Sequence, residues 1–171
     1  MMKLFCIVLS VFTHVNVCSK HLEVKKYPTP ISEENLKEVL YQSHIDVFHI
    51  TPSDNTVNMA WAQIAFENGK GKLVYNYNLG NIGTFPKARH PYYRVAGNKF
   101  KSFSSFREGA ANYWKVIKNR CRSSLPHFNW GDPYNSSLFL KKCSYYKLDL
   151  ESYYSSMKLL FNEARRVKSI Y

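Results

Sequence analysis

The spacing of apolar residues along the chain predicts a mainly helical protein. In several segments they recur every three or four positions, as on one face of an α-helix, and a residue suited to capping stands before each segment. One of these starts is a capping box, Ser105-Phe106-Arg107-Glu108. The predicted helices, with their expected caps, cover about 33–45 (Ser32), 54–68 (Ser53 or Asp54), 106–120 (Ser105), 136–142 (Asn135-Ser136) and 150–167 (Asp149).

Residues 69–103 lack this periodicity. The segment is rich in Gly, Asn, Tyr and Lys, which predicts loops with short strands. No Pro- or Gly-rich linker divides the chain into two domains. The expected fold class is therefore mainly α (α+β), with one helical domain over 20–171 and an irregular or short-β insertion after the second helix.

Residues 1–19 form a predicted signal peptide. Met1-Met2-Lys3 supplies a positive start, and the mostly apolar run over 4–17 is shorter than a membrane span, which needs about 20 residues. Cleavage is expected after Ser19. Lipid attachment at Cys18 is the alternative, although Asn16-Val17 is a poor lead-in for it. The pattern predicts a secreted or periplasmic protein.

Removal of that peptide leaves Cys121 and Cys143 of the 4 cysteines in the sequence. In an oxidising compartment these two are expected to form a disulfide, which would contribute roughly 3 kcal/mol to stability. Two buried free thiols are the alternative. The cysteines and the 6 histidines lack the spacing of a metal site, so neither a metal nor a cofactor is predicted.

The composition excludes several classes of protein and leaves a strongly basic one. With 171 residues, 45% of them hydrophobic, the chain has the size and apolar content of one globular domain, which excludes a disordered tail or a polytopic membrane protein. The 24 Lys and Arg against 12 Asp and Glu give a net charge of +12. We therefore expect an anionic partner, and secretion favours wall polymers or a membrane surface over nucleic acid.

Glu67 is the candidate for acid–base chemistry. It lies in the last turn of the second predicted helix, at the edge of the apolar stripe and before the stop at Asn68-Gly69. The negative end of the helix dipole and partial burial beside Trp61 or Phe66 both disfavour the carboxylate. Both effects raise the pKa of the carboxyl towards the value that a general acid needs. A solvated glutamate at a helix end is the alternative.

Three motifs in order resemble the lysozyme superfamily. Ala65-Phe66-Glu67-Asn68-Gly69-Lys70-Gly71 is similar to the A-x-E-S-G-x-G helix end of bacterial N-acetylglucosaminidase autolysins, goose-type lysozymes and lytic transglycosylases. Asn78-Leu79-Gly80-Asn81-Ile82 and residues 100–109 resemble the two signatures that follow, with Tyr113 where a tyrosine commonly lies. The resemblance spans about residues 55–120. Asn68 in place of Ser, and Lys70 in place of an aromatic residue, depart from the pattern.

The resemblance implies cleavage of the β-1,4 bonds of peptidoglycan glycan strands, with Glu67 as the acid that protonates the glycosidic oxygen. A two-carboxylate mechanism needs a second acid, yet residues 68–107 contain no Asp or Glu and eight Lys or Arg. Glu108 belongs to the capping box, and Asp132 would have to be returned by folding. A single-acid reaction, like that of lytic transglycosylases and goose-type lysozymes, is therefore favoured over a two-carboxylate hydrolase.

Polar and aromatic residues of the loop region are the candidates for binding sugar. Asn78, Asn81 and Tyr77 are expected to hold acetamido and hydroxyl groups. Tyr113 is expected to reach the reacting end from the next helix. Turn hydrogen bonds for the asparagines and core packing for the tyrosines are the alternatives. Flat aromatic faces are typical of a glycan groove, and the loop region supplies Tyr75, Tyr77, Tyr92 and Tyr93.

The expected partners are peptidoglycan glycan strands and, because of the charge, anionic wall polymers. The protein is expected to act as a monomer, without nucleic acid and without stable membrane insertion. Chitin is an alternative substrate, and both hydrolysis and anhydro-forming transfer are compatible with the motifs. A second hypothesis is a non-catalytic cationic protein that binds cell walls or acts on membranes.

Overall fold

The computed structural model describes residues 23–84 and 90–168, and the predicted signal peptide lies outside them. The mainly α fold class is confirmed, with a small two-stranded antiparallel sheet in the insertion. The elements are α1 (Glu33–Phe48), α2 (Asp54–Asn68), β1 (Tyr92–Val95), β2 (Asn98–Lys101), α3 (Phe106–Arg120), α4 (Leu125–Trp130), α5 (Pro133–Lys142) and α6 (Leu150–Ala164), with a 3-10 helix at Arg122–Ser124.

Four helices begin where the sequence predicts. In each, the capping side chain accepts a hydrogen bond from the backbone N–H three residues later, and these caps are Ser32, Ser53, Ser105 and Asp149. The capping box differs in one detail. The Glu108 carboxylate accepts from the backbone N–H and the hydroxyl of Ser104, at 2.8 and 2.7 Å, one residue before the expected partner.

The segment between α3 and α5 differs from the prediction. The 3-10 helix and α4 were not indicated by apolar periodicity, because α4 has only 6 residues and completes less than two turns. The predicted cap of α5, Asn135-Ser136, is wrong. Asp132 caps this helix and accepts from the Asn135 N–H at 3.1 Å. Pro133 then takes the first turn, where its missing N–H has no helical partner to lose.

Helix α2 is the centre of the core. Eleven of its 15 residues are buried, and it packs against α1, α4 and α6. Two indoles tie the surrounding helices together: Trp61 donates to the Glu33 carbonyl at 3.2 Å, and Trp114 on α3 donates to the Leu40 carbonyl on α1 at 2.9 Å. The C-terminal end of α2, where Glu67 lies, therefore has a fixed position.

The loop after α2 is held from two sides. The Asn76 amide accepts from the Tyr27 N–H and donates to the Lys25 carbonyl, both at 3.0 Å, which ties the loop to the N-terminal segment. On the other side Gly109 allows α3 to approach closely, because a Cβ at this position would lie 1.9 Å from the Tyr77 carbonyl oxygen. The loop residues that follow Glu67 are therefore held in place although they belong to no helix or strand.

The predicted disulfide between Cys121 and Cys143 is confirmed. It joins the C-terminal ends of α3 and α5, with the two Cα atoms 5.3 Å apart. Arg120 reinforces the junction by donating to the carbonyls of Cys143 and Ser144 at 3.2 and 3.4 Å. The bridge therefore fixes the start of the loop that leads to α6.

Replacement of both cysteines by serine is expected to lower the free energy of unfolding by about 3 kcal/mol, because the bridge closes a loop with a sequence separation of 22. Urea denaturation of the variant measures the loss, and the reduced wild-type protein is the control that should show the same midpoint. A loss below about 1 kcal/mol would contradict this account of the bridge.

Candidate active site

Glu67 lies where two surface cavities meet. It precedes the last residue of α2, and the helix ends at Gly69 in the left-handed conformation, with φ 61°. The cavity on one side has a volume of about 760 Å³ and the other about 560 Å³. Glu67, Asn81, Tyr145 and Lys147 line both cavities. A chain-like ligand lying through both would therefore pass directly over the carboxyl.

Burial raises the pKa of the Glu67 carboxyl to about 7, from an ordinary value of 4.5. The amide of Asn81 has the opposite and smaller effect. That amide lies beside Glu67, because its Nδ2 donates to the Glu67 backbone carbonyl at 2.7 Å. The side chain of Glu67 keeps some exposed surface. At neutral pH a large fraction of the carboxyl groups is protonated and able to donate a proton to a ligand.

The phenols of three tyrosines interact electrostatically with the carboxyl: Tyr113, Tyr145 and Tyr153. Burial is the main cause that raises the pKa of each phenol, and the charge of Glu67 raises it further. All three phenols therefore stay neutral. The Tyr113 hydroxyl donates to Gln63 Oε1 at 2.6 Å, one helical turn before Glu67, and the Tyr145 hydroxyl donates to the Gly80 carbonyl at 3.3 Å.

Among residues 23–84 and 90–168, Glu67 is the only carboxyl that lines either cavity. These ranges contain all 12 Asp and Glu of the sequence. Several of the others have structural partners that hold them elsewhere. Asp132 and Asp149 cap helices, Glu108 binds Ser104, and the acidic members of ion pairs are Glu23, Asp46 and Glu163.

The larger cavity has aromatic walls. Two of the four loop tyrosines expected in a glycan groove, Tyr75 and Tyr93, line this cavity, whereas Tyr77 and Tyr92 line neither. Other aromatic rings of the wall come from α2, β2 and the loop after α5: Phe66, Phe100, Tyr145 and Tyr146. The flat faces and the polar edges of such side chains are favourable surfaces for sugars.

Of the two asparagines expected to bind sugar, only Asn81 lines the cavities. Asn78 has no exposed surface, and its amide holds the turn that carries Asn81. Its Oδ1 accepts from the Ile82 N–H at 2.8 Å. Its Nδ2 donates to the carbonyls of Ile82 and Lys101, both at 3.0 Å. These contacts correspond to the alternative stated above, a turn asparagine.

The two tyrosines expected to bind sugar line neither of these two cavities. The Tyr77 ring packs against Phe106, with ring centroids 4.9 Å apart, and against Tyr27 at 6.1 Å. Tyr113 has no exposed surface. Tyr145, which lines both cavities, was missed by sequence reasoning. The feature of the sequence that could have indicated Tyr145 is its position two residues after Cys143, which is one end of the predicted disulfide.

No metal-binding cluster of three or more His, Cys, Asp or Glu side chains occurs in the part of the chain that the structure describes. Within the same residues no helix has the length and apolar character needed to cross a membrane. The side chains that line both cavities supply a carboxyl, an amide, a phenol and an ammonium group, which can transfer a proton and form hydrogen bonds.

Solved structures of two hydrolases share this fold at low sequence identity. The peptidoglycan hydrolase from Sphingomonas sp. A1 is 18% identical with a TM-score of 0.57, and the match covers 79% of this chain and 88% of that chain. The truncated glycoside hydrolase domain of FlgJ from Salmonella typhimurium is 14% identical with a TM-score of 0.58, and the match covers 80% and 100%. No protein-family model and no curated protein matches the chain. The fold is therefore the lysozyme-like fold that the motifs implied.

Proposed function

We propose that this protein is a glycosidase that cleaves peptidoglycan glycan strands, with Glu67 as the general acid. The observation that carries the proposal is a partly buried carboxyl, with its pKa raised to about 7, at the junction of two cavities. A polymer lying through both cavities has one of its linkages over this carboxyl. Peptidoglycan is the proposed polymer because a protein of the same fold is a peptidoglycan hydrolase.

A single-acid reaction fits the residues at the junction. Protonated Glu67 gives its proton to the glycosidic oxygen as the bond from that oxygen to the anomeric carbon breaks. The resulting carboxylate then takes a proton from the attacking hydroxyl, which belongs either to water or to the 6-position of the same sugar. The sugar's own groups stabilise the cationic carbon between these steps. The proposal is supported by the absence of a second carboxyl from both cavities in the described residues.

Asn81 and Tyr145 are the proposed contacts for the sugars next to the cleaved bond, because both line the two cavities beside Glu67. Tyr113 and Asn78 act from behind the wall, through Gln63 and through the turn that carries Asn81. We propose that the protein acts outside the cytoplasm as a monomer, after removal of residues 1–19. The disulfide between Cys121 and Cys143 supports such a location, because structural disulfides persist in oxidising compartments.

Mass analysis of the fragments released from purified peptidoglycan tests the proposal. We expect released fragments, and fragments that end in an anhydro-sugar would show that the 6-hydroxyl of the same sugar is the attacking group. Reducing ends would show hydrolysis by water at the same carboxyl. The competing function, a cationic wall binder, is favoured by the net charge of +12. It predicts binding that high salt abolishes and no released fragments.

A further inference from the structure

We infer that the larger cavity binds an acidic peptide carried by the glycan, with Lys26 and Lys147 as specificity-determining residues. The inference rests on the proposed function and names the substituent that the preferred substrate carries. A glycan without such a peptide would still reach Glu67, but it would lack the contacts that the two lysines offer.

The two lysines lie at the larger cavity without a carboxylate partner among the described residues. Lys26 Nζ lies 3.8 Å from the centroid of the Tyr75 ring, which lines the same cavity. Lys147 lies in the loop after α5, next to Tyr146. The ion pairs in the described ranges use other basic residues. A carboxylate that enters beside these two ammonium groups gains their attraction without displacing a protein anion.

The smaller cavity differs in this respect. Two of its basic side chains are held by the protein itself, because Lys101 Nζ donates to Asn112 Oδ1 at 3.1 Å and Arg120 donates to the Cys143 and Ser144 carbonyls. Lys147 lines both cavities, whereas Lys26 lines only the larger one, so the larger cavity holds both lysines that lack a carboxylate partner in the described part of the chain. The anionic part of a bound substrate is expected on the side of the larger cavity.

Apolar side chains line the same cavity as the two lysines. Leu73 is 58% exposed and Leu148 is 49% exposed, and both line the larger cavity. A neutral polysaccharide such as chitin offers no carboxylate to the lysines, and a polyphosphate offers no apolar group to the leucines. A short peptide with carboxylates and small apolar side chains, attached to a sugar, is complementary to both surfaces.

A comparison of two substrates with the same glycan tests the inference: peptidoglycan strands that carry their peptides, and the same strands after enzymatic removal of the peptides. We expect the wild-type kcat/KM to be about fivefold higher for the peptide-bearing strands, the size that two exposed ion pairs give. This ratio should fall in high salt, because exposed charges are screened. In the double variant Lys26→Gln, Lys147→Gln the ratio should fall close to one.

The double variant Lys158→Gln, Lys168→Gln is the matched control. It removes the same charge from exposed positions that line neither cavity, and it should keep the wild-type ratio. Equal wild-type rates on the two substrates would overturn the inference and leave the glycosidase proposal intact. An unchanged ratio in Lys26→Gln, Lys147→Gln would do the same. A wild-type protein that cuts neither substrate would overturn both.

Discussion

Replacement of Glu67 by glutamine is expected to lower the rate of peptidoglycan cleavage by about 10³-fold or more, because one residue supplies both the acid and the base of the reaction. Glutamine has nearly the same size and keeps a polar group at the junction of the cavities, but it cannot donate a proton to the glycosidic oxygen. The measurement is the initial rate of fragment release from purified peptidoglycan. Binding of the variant to intact walls should stay close to that of the wild type.

Glu151→Gln is the control for this substitution. Glu151 is exposed in the first turn of α6 and lines neither cavity, so the control makes the same chemical substitution away from the junction. It should retain full activity. If Glu67→Gln kept more than about a tenth of the wild-type rate, Glu67 would not be the general acid, since that role alone contributes a factor of about 100 or more.

Replacement of Glu67 by glutamine is also expected to stabilise the folded protein at alkaline pH, by up to about 3 kcal/mol. The Glu67 carboxyl has a pKa of about 7 in the folded chain against an ordinary value of 4.5. Between these values the folded state holds a proton that the unfolded state has released, so wild-type stability falls as the pH rises through this window. Glutamine stays neutral throughout and avoids the cost of a buried anion.

Urea denaturation between about pH 4 and pH 9 measures this effect. The difference in free energy of unfolding between Glu67→Gln and the wild type should be nearly constant below about pH 4.5, grow up to about pH 7 and then level off. Glu151→Gln should show no such increase. A difference that does not depend on pH would mean that the carboxyl is not desolvated. This experiment needs no substrate, so it tests the state of Glu67 independently of catalysis.

The sequence predicts those parts of the molecule that local rules determine. A cap and a run of apolar residues are sufficient to locate α1, α2, α3 and α6, because the hydrogen bonds at a helix start involve residues three apart. Glu67 could be predicted as the general acid because the two features that indicate it, the helix end and the apolar stripe, are also read from nearby residues. The short helix α4 has too few turns for periodicity to reveal it.

The walls of the site could not be predicted in the same way. Tyr145 and Lys147 reach the junction from the loop after α5, so their role depends on how distant helices pack. Asn78 and Asn81 belong to one motif, and the sequence assigns both to sugar binding. Asn78 is fully buried, with its amide bonded to Ile82 and to the distant Lys101 carbonyl, whereas Asn81 lines the cavities. Tertiary contacts, rather than residue type, separate the two asparagines.

The burial of α2 on nearly all sides has a consequence for how the sequences of related proteins can change. The reacting carboxyl belongs to a helix with 11 of its 15 residues buried, whereas many of the residues that line the two cavities beside it come from the loops after α2 and α5. Substitutions in those loops can reshape the sites for neighbouring sugars without displacing the proton donor. In such an architecture the substrate preference can change between lineages while the bond-breaking step stays the same.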